Sequence, residues 1–174
     1  RQLKVADERL TKVTRVFISH WHGDHVLGLH GLIQSLNSSK YEQEHPHLDI
    51  YGPKGTKKLL QTLLGCFTFD QKIILEVHEF KPQGGVVCRT DDFVVNAYLL
   101  EHSVPTYGFT FQEHDRRKID IAKAKKLGLD EGPLLGELQR GKSVVVNKKK
   151  IQPDEATYVV QGKKIGYIAD TTFC

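Results

Sequence analysis

The chain has 174 residues, 39% apolar and 26% charged, with Gly and Pro at ordinary levels, so it can bury a core and is neither disordered nor fibrous. It contains no apolar run of about 18 residues, and Arg1, Gln2, Lys4, Asp7 and Glu8 are too polar for a secretory signal; no membrane association and a cytoplasmic address are the expectation. The net charge of +4 is uneven, because residues 116–150 carry +7 and the remainder −3, which reads either as a solvated face or as an arm that meets a polyanion.

In chain order, residues 13–19 (VTRVFIS) are apolar and β-branched and read as a buried strand. After a His-rich loop, Val26, Leu29, Ile33 and Leu36 recur at helical spacing until Asn37, Ser38 and Ser39 stop the pattern. The unit then repeats. Residues 48–51 form a short strand, and Gly52, Pro53 and Gly55 lead into a helix with Leu59, Leu60, Leu63 and Leu64 on one face. Beyond Lys72 the period changes to two, at 73–77 and at Phe93, Val95, Ala97 and Leu99, with another strand over 107–111. Residues 119–127 read as a short helix, and the glycines from Gly128 to Gly141 make the following stretch irregular, as a projecting arm would be. Residues 157–161 and 165–169 read as a hairpin across Gly162-Lys163 whose second strand delivers Asp170. Mixed strands and helices imply an α/β layered fold, with one domain over residues 1–174.

Cys66, Cys88 and Cys174 are odd in number, widely spaced and without a Cys-x-x-Cys pair, so reduced thiols are expected. The chain opens on Arg1 and contains no Met, so it reads as a piece of a longer chain or as one short of residues.

The strongest chemical signal is His20-Trp21-His22-Gly23-Asp24-His25, directly after the first strand. The pattern H-x-H-x-D-H should arise by chance on the order of once in a thousand such chains. Residues two apart in an extended segment point the same way, so His20 and His22 can offer imidazoles to one cation. Gly23 lets the backbone turn, and Asp24 and His25 can then reach a second. Imidazoles and a carboxylate suit Zn²⁺, with Mn²⁺ or Fe²⁺ as alternatives. His102 and Asp170 each lie at a strand terminus; the first can complete one metal's shell and the second can bridge the two.

Other residues take the plain reading. His45-Pro46-His47 follows a polar stretch and reads as a surface loop. His30, His78 and His114 have no partner at ligand spacing, and Trp21 is given no role. Gly52-Pro53-Lys54-Gly55-Thr56 lacks a nucleotide-binding ending.

The ordered set HWHGDH, His102 and Asp170 resembles the metallo-β-lactamase superfamily. Within it, residues 102–109 (HSVPTYGF), 123–136 (KAKKLGLDEGPLLG) and 168–172 (IADTT) are similar to the tRNase Z family, the tRNA 3′-processing endoribonucleases. The resemblance implies an αββα sandwich, incomplete at both ends, with an inserted flexible basic arm over 113–156. It implies two Zn²⁺ ions, with His20, His22 and His102 on one, Asp24 and His25 on the other, and Asp170 bridging. Asp24 would also orient the attacking water. Arg116, Arg117, Lys118, Lys123, Lys125 and Lys126, with Gly132 and Pro133, would grip precursor tRNA, and a homodimer is implied. The chain departs from the family in lacking its N-terminal strand region and, after Asp170, a His-containing loop and one more zinc-binding His; this stretch alone would be short of a metal ligand and of the general acid. Rival readings are a phosphodiesterase or arylsulfatase of the same fold, and a non-catalytic RNA-binding module.

Overall fold

The structure is a computed structural model that describes residues 2–39 and 46–172. The elements, in order, are α1 (Gln2–Val5), a 3-10 turn (Leu10–Lys12), β1 (Arg15–Phe17), α2 (Gly23–Asn37), β2 (His47–Gly52), α3 (Thr56–Gly65), β3 (Ile74–Glu79), β4 (Gly84–Arg89), β5 (Phe93–Leu100), β6 (Thr106–Glu113), β7 (Arg116–Ile119), α4 (Ile121–Lys126), α5 (Pro133–Gln139), β8 (Val144–Val146), β9 (Lys149–Ile151), α6 (Pro153–Ala156), β10 (Thr157–Val160) and β11 (Lys164–Tyr167). The chain divides into two compact units. The first holds Val95–Phe111 with the chain before Thr90 and after Ile165; the second holds Thr90–Val94 and Gln112–Ile165.

In the first unit the repeated strand-helix pattern closes into a parallel sheet of order β1-β2-β3, with Val16 opposite Ile50 and Ile50 opposite Val77. Parallel neighbours need a crossover, and α2 and α3 supply it. Their apolar stripes bury one face: Val26, Leu29, Ile33 and Leu36 from α2 and Leu60 from α3 pack with Ile18, Leu48, Ile50 and Ile73. Each fully buried Leu or Ile there contributes about 1.5–3 kcal/mol. Leu63 and Leu64 are partly buried against this core, whereas Leu59 is exposed and stands off the stripe.

The other face of that sheet is aromatic. Phe17 stacks on Tyr51 at 4.7 Å, and Phe109 stands 5.9 Å from Phe17 and 5.7 Å from Phe80. Phe109 belongs to a second sheet, ordered β11-β6-β5-β4, to which the first unit contributes β4 and its own parts of β5, β6 and β11. Helices, sheet and sheet therefore form three successive layers of an α/β sandwich. Tyr107 ties the two sheets, its N–H donating to the Ser19 carbonyl at 3.0 Å.

The second unit has its own core. Ala124, Leu129, Leu138, Val144, Ile151 and Ala156 are buried together, with Ile119, Leu127, Leu135 and Val146 against them. β7 pairs antiparallel with β10, and β8 with β9.

Four expectations are corrected. Residues 157–169 are no hairpin: β10 pairs with β7, and β11 lies beside β6. Gly162 permits this course, because a Cβ there would lie 2.1 Å from the Glu113 carbonyl oxygen. The stretch after Gly128 is not irregular; Pro133 opens α5 at its first turn, where the missing N–H costs nothing, and Leu135 and Leu138 turn inward. The helix expected over 119–127 begins only after β7. His47 opens β2 rather than sitting in a loop, while His45 lies outside the described residues, as does Cys174. Cys66 and Cys88 are free thiols. Among the described residues, no helix is long and apolar enough to cross a membrane.

Candidate metal centre

The HWHGDH segment runs from the end of the β1 strand into the first turn of α2. Its position is set by burial: Ile18, Ser19 and His20 are buried, and the Ile18 N–H donates to the Tyr51 carbonyl at 2.8 Å. His22 caps α2 with extended backbone, so the chain turns and carries Asp24 and His25 in the first helical turn. The positive end of the helix dipole favours the Asp24 carboxylate there.

Trp21, given no role by the sequence, anchors the loop between the histidines. Its indole N–H donates to Thr56 Oγ1 at 2.8 Å, and the Thr56 hydroxyl donates onward to the Pro53 carbonyl at 2.7 Å. Thr56 is fully buried, and a Cβ at Gly52 would lie 2.3 Å from its hydroxyl, so the glycine makes room for the anchor. Gly55, with φ 97°, lies in the left-handed region at the cap of α3. The Gly-Pro-Lys-Gly-Thr stretch thus steadies the His loop.

His20 is the innermost member. Ser19 Oγ sits 3.1 Å from its Nδ1, while its buried Nε2 has no hydrogen-bond partner among the described residues. The His20, His22 and His102 rings converge, with centroids 4.7 Å apart for His20 and His22 and 5.2 Å for His20 and His102. His102 Nε2 approaches His22 Nδ1 to 3.2 Å. Asp170 Oδ2 lies 3.9 Å from His20 Nε2 and 3.6 Å from His25 Nε2, and Asp24 Oδ2 lies 3.4 Å from the same His25 nitrogen.

The donor atoms fall into two groups, each within 4.8 Å: His20, His22, His102 and Asp170, and Asp24, His25 and Asp170. Asp170 belongs to both. Burial lowers the pKa of His20, and the neighbouring His25 and His22 push the same way; Asp170 opposes them, and His102 adds to the lowering. The imidazole is therefore held neutral, the form that ligates a metal. An orphaned buried nitrogen in a ring of imidazoles and carboxylates fits borderline dications.

Nothing in the sequence signals how the two distant stretches are held. The Thr172 N–H donates to the Glu101 carbonyl at 2.9 Å, and the Thr171 hydroxyl donates to the same oxygen at 3.2 Å. A cleft of about 690 Å³ opens beside His102, lined by Leu100, Ser103, Val104, Pro105 and Tyr107 among others.

The residues expected to meet RNA all lie in the second unit. Arg116, Arg117 and Lys118 are on β7, Lys123, Lys125 and Lys126 on α4, and Gly132 and Pro133 at the start of α5. Arg117 is held by Asp154 and by Thr157 Oγ1 at 3.0 Å, Arg116 lies 3.8 Å from Glu113, and Lys123 lies 3.5 Å from Asp120. Lys118, Lys125 and Lys126 are exposed and have no ion pair among the described residues.

A family model described as the beta-lactamase superfamily domain matches residues 1–121. The chain belongs to that superfamily. It is 40% identical over 177 residues to a protein named Ribonuclease Z from Methanothermobacter thermautotrophicus, covering all of this chain and 55% of the relative. It is 38% identical over 176 residues to Ribonuclease Z from Pyrococcus horikoshii, covering all of this chain and 56% of that one. The chain thus spans about half the length of the curated relatives it matches. The crystal structure of the short form of human tRNase Z superposes with a TM-score of 0.54 at 26% identity, covering 63% of this chain and 49% of that one. The superfamily's αββα sandwich accounts for the helix, sheet and sheet layers of the first unit.

Proposed function

We propose that the chain is the metal-bearing part of an endoribonuclease that hydrolyses a phosphodiester to remove the 3′ trailer from precursor tRNA. The observation that carries this reading is the single carboxylate, Asp170, common to two donor groups in a chain similar along its whole length to proteins named Ribonuclease Z. His20, His22 and His102 would hold one cation, Asp24 and His25 the other, and Asp170 both. Three neutral imidazoles and a carboxylate favour Zn²⁺. When bound, two such ions acidify a water and offset charge on the phosphoryl oxygens.

The chain's own groups do the rest. Ser19 fixes the His20 ring through Nδ1, Trp21 fixes the loop, and Asp24, three-quarters exposed, accepts a hydrogen bond from the attacking water and orients it. Water adds to phosphorus in line with the departing 3′ oxygen, leaving a 3′-hydroxyl on the tRNA body and a 5′-phosphate on the trailer. In the second unit, Arg116, Arg117, Lys118, Lys123, Lys125 and Lys126 contact tRNA phosphates, and Gly132 and Pro133 shape the backbone for close approach. The 113–156 segment is then the tRNA-gripping arm. A cytoplasmic setting and a homodimeric assembly belong to the same reading and rest on the family resemblance.

In the complete enzyme, Asp24→Ala should abolish cleavage of a precursor tRNA while binding, measured by filter retention, stays within a few-fold. Retained cleavage refutes the assignment.

A further inference from the structure

A second donor cluster stands at the far end of the β1-β2-β3 sheet. His47 and Asp49 lie two apart on β2, and Glu76 and His78 two apart on β3. Asp49 pairs directly with Glu76, so H-x-D on one strand meets E-x-H on the next on one face of the sheet. That face is opposite the one on which Leu48 and Ile50 join the helical core.

We propose that His47, Asp49 and Glu76, with His78 beside them, form a separate site for a divalent transition-metal ion of the Zn²⁺, Co²⁺ or Ni²⁺ class. His47 Nε2 lies 3.5 Å from Asp49 Oδ1 and 3.5 Å from Glu76 Oε2, and His78 Nε2 lies 3.3 Å from Asp49 Oδ1 and 3.8 Å from Glu76 Oε1. Donors on a tetrahedral ion with bonds of about 2.0–2.1 Å stand about 3.3–3.4 Å from one another, close to the 3.5 Å that separates His47 from each of the two carboxylates. One donor atom each from His47, Asp49 and Glu76 falls within 4.8 Å of the other two.

Asp49 and His78 are supported from outside the cluster. Arg15 Nε lies 3.7 Å from Asp49 Oδ2, which leaves Oδ1 as the atom turned to both imidazoles. His78 is stacked on Tyr51, with ring centroids 4.5 Å apart and planes within 18°. Two carboxylates against one guanidinium leave a net negative charge when the imidazoles are neutral, which attracts a dication. His47 and Glu76 are half exposed, so an ion can enter from solvent.

The site is distinct from the HWHGDH centre. β1 and β2 run parallel, and Asp49 pairs with Arg15, five residues before His20. At about 3.3 Å per residue the two clusters are separated by about 16 Å along the sheet.

The test uses the full-length protein, purified with its own metal, freed of excess ion and equilibrated by dialysis against micromolar ⁶⁵Zn²⁺ at pH 7.5. Wild type should take up one further equivalent per chain relative to Glu76→Gln and to His47→Gln. Each variant should bind that equivalent at least about ten-fold more weakly and keep wild-type cleavage of precursor tRNA. Glu76 is exposed, so Glu76→Gln decides the matter alone if His47→Gln fails to fold. Equal stoichiometry in wild type and Glu76→Gln overturns the proposal, and so does a thermal midpoint that responds to these substitutions but not to added Zn²⁺, since the cluster would then be a set of ion pairs only.

Discussion

Thr172 donates its backbone N–H to the carbonyl of Glu101, and through this bond the stretch ending in Asp170 is fastened to the stretch that begins with His102. The bond belongs to the backbone, so the side chain at 172 is immaterial while a proline is not. Thr172→Pro should loosen Asp170 and lower cleavage by the complete enzyme about ten-fold, the scale of one hydrogen bond. Thr172→Ala should leave it unchanged. Metal content by mass spectrometry should follow the same order, and equal loss in both variants would show that the tether plays no part.

The Trp21 to Thr56 bond gives a second ordering. Thr56→Val leaves the partly buried indole N–H without its acceptor, while the Pro53 carbonyl keeps the backbone N–H of residue 56; Trp21→Phe instead removes one donor to a hydroxyl that still reaches Pro53. The valine variant should lose about 1–3 kcal/mol of stability and the phenylalanine variant about 0.5–1.5 kcal/mol. Urea unfolding of both, with the double variant, measures their coupling; additive losses would mean the two groups do not act together.

Local signals were legible in the sequence and pairings were not. The α2 stripe at Val26, Leu29, Ile33 and Leu36 is the buried face of that helix because 3.6-residue periodicity reports burial directly. β4 carries no local signal, since Gly84 and Gly85 open it and Cys88 alone among its residues is buried. The hairpin over 157–169 failed because β10 takes β7 as its partner from forty residues upstream, which no local turn residue encodes. Gly128, Gly132, Gly136 and Gly141 mask the helix start at Pro133, so α5 has no clear signal in the sequence. Asp170 is legible as the partner of both parts of HWHGDH from its place at a strand end and from the family resemblance, and the two donor groups share it; the register that sets Asp49 beside Glu76 is not, because His47, Asp49, Glu76 and His78 show nothing until β2 and β3 are paired.

The cations of the second unit divide by what holds them. Lys125 and Lys126 have no ion pair among the described residues, so their replacement by Ala should remove phosphate contacts and little else. The slope of log affinity for tRNA against log salt should shrink by about 1–2 for the pair. Arg117→Ala should instead free Asp154 and Thr157 and weaken the β7–β10 pairing, seen as faster amide exchange across those strands. A salt slope unchanged by the lysine pair would remove α4 from the RNA surface.

Asp120 ties the stability of α4 to pH. Its carboxylate caps the helix, accepting the Lys123 backbone N–H at 3.0 Å, with the Lys123 ammonium 3.5 Å away. The backbone hydrogen bond, more than the ammonium charge, holds its pKa below the ordinary 3.8. The folded state therefore prefers the ionised group. The stabilisation is complete above the unfolded value and is lost as pH falls through the depressed folded one. Asp120→Asn keeps an acceptor at the cap but removes the titration, so its acid unfolding limb should be shallower than that of wild type. Asp120→Ala should weaken the helix at every pH. Amide exchange of Ala124 and Lys125 between pH 2 and 6 separates the three; if wild type and the asparagine variant lose protection along the same curve, the cap contributes through its geometry and not through its charge.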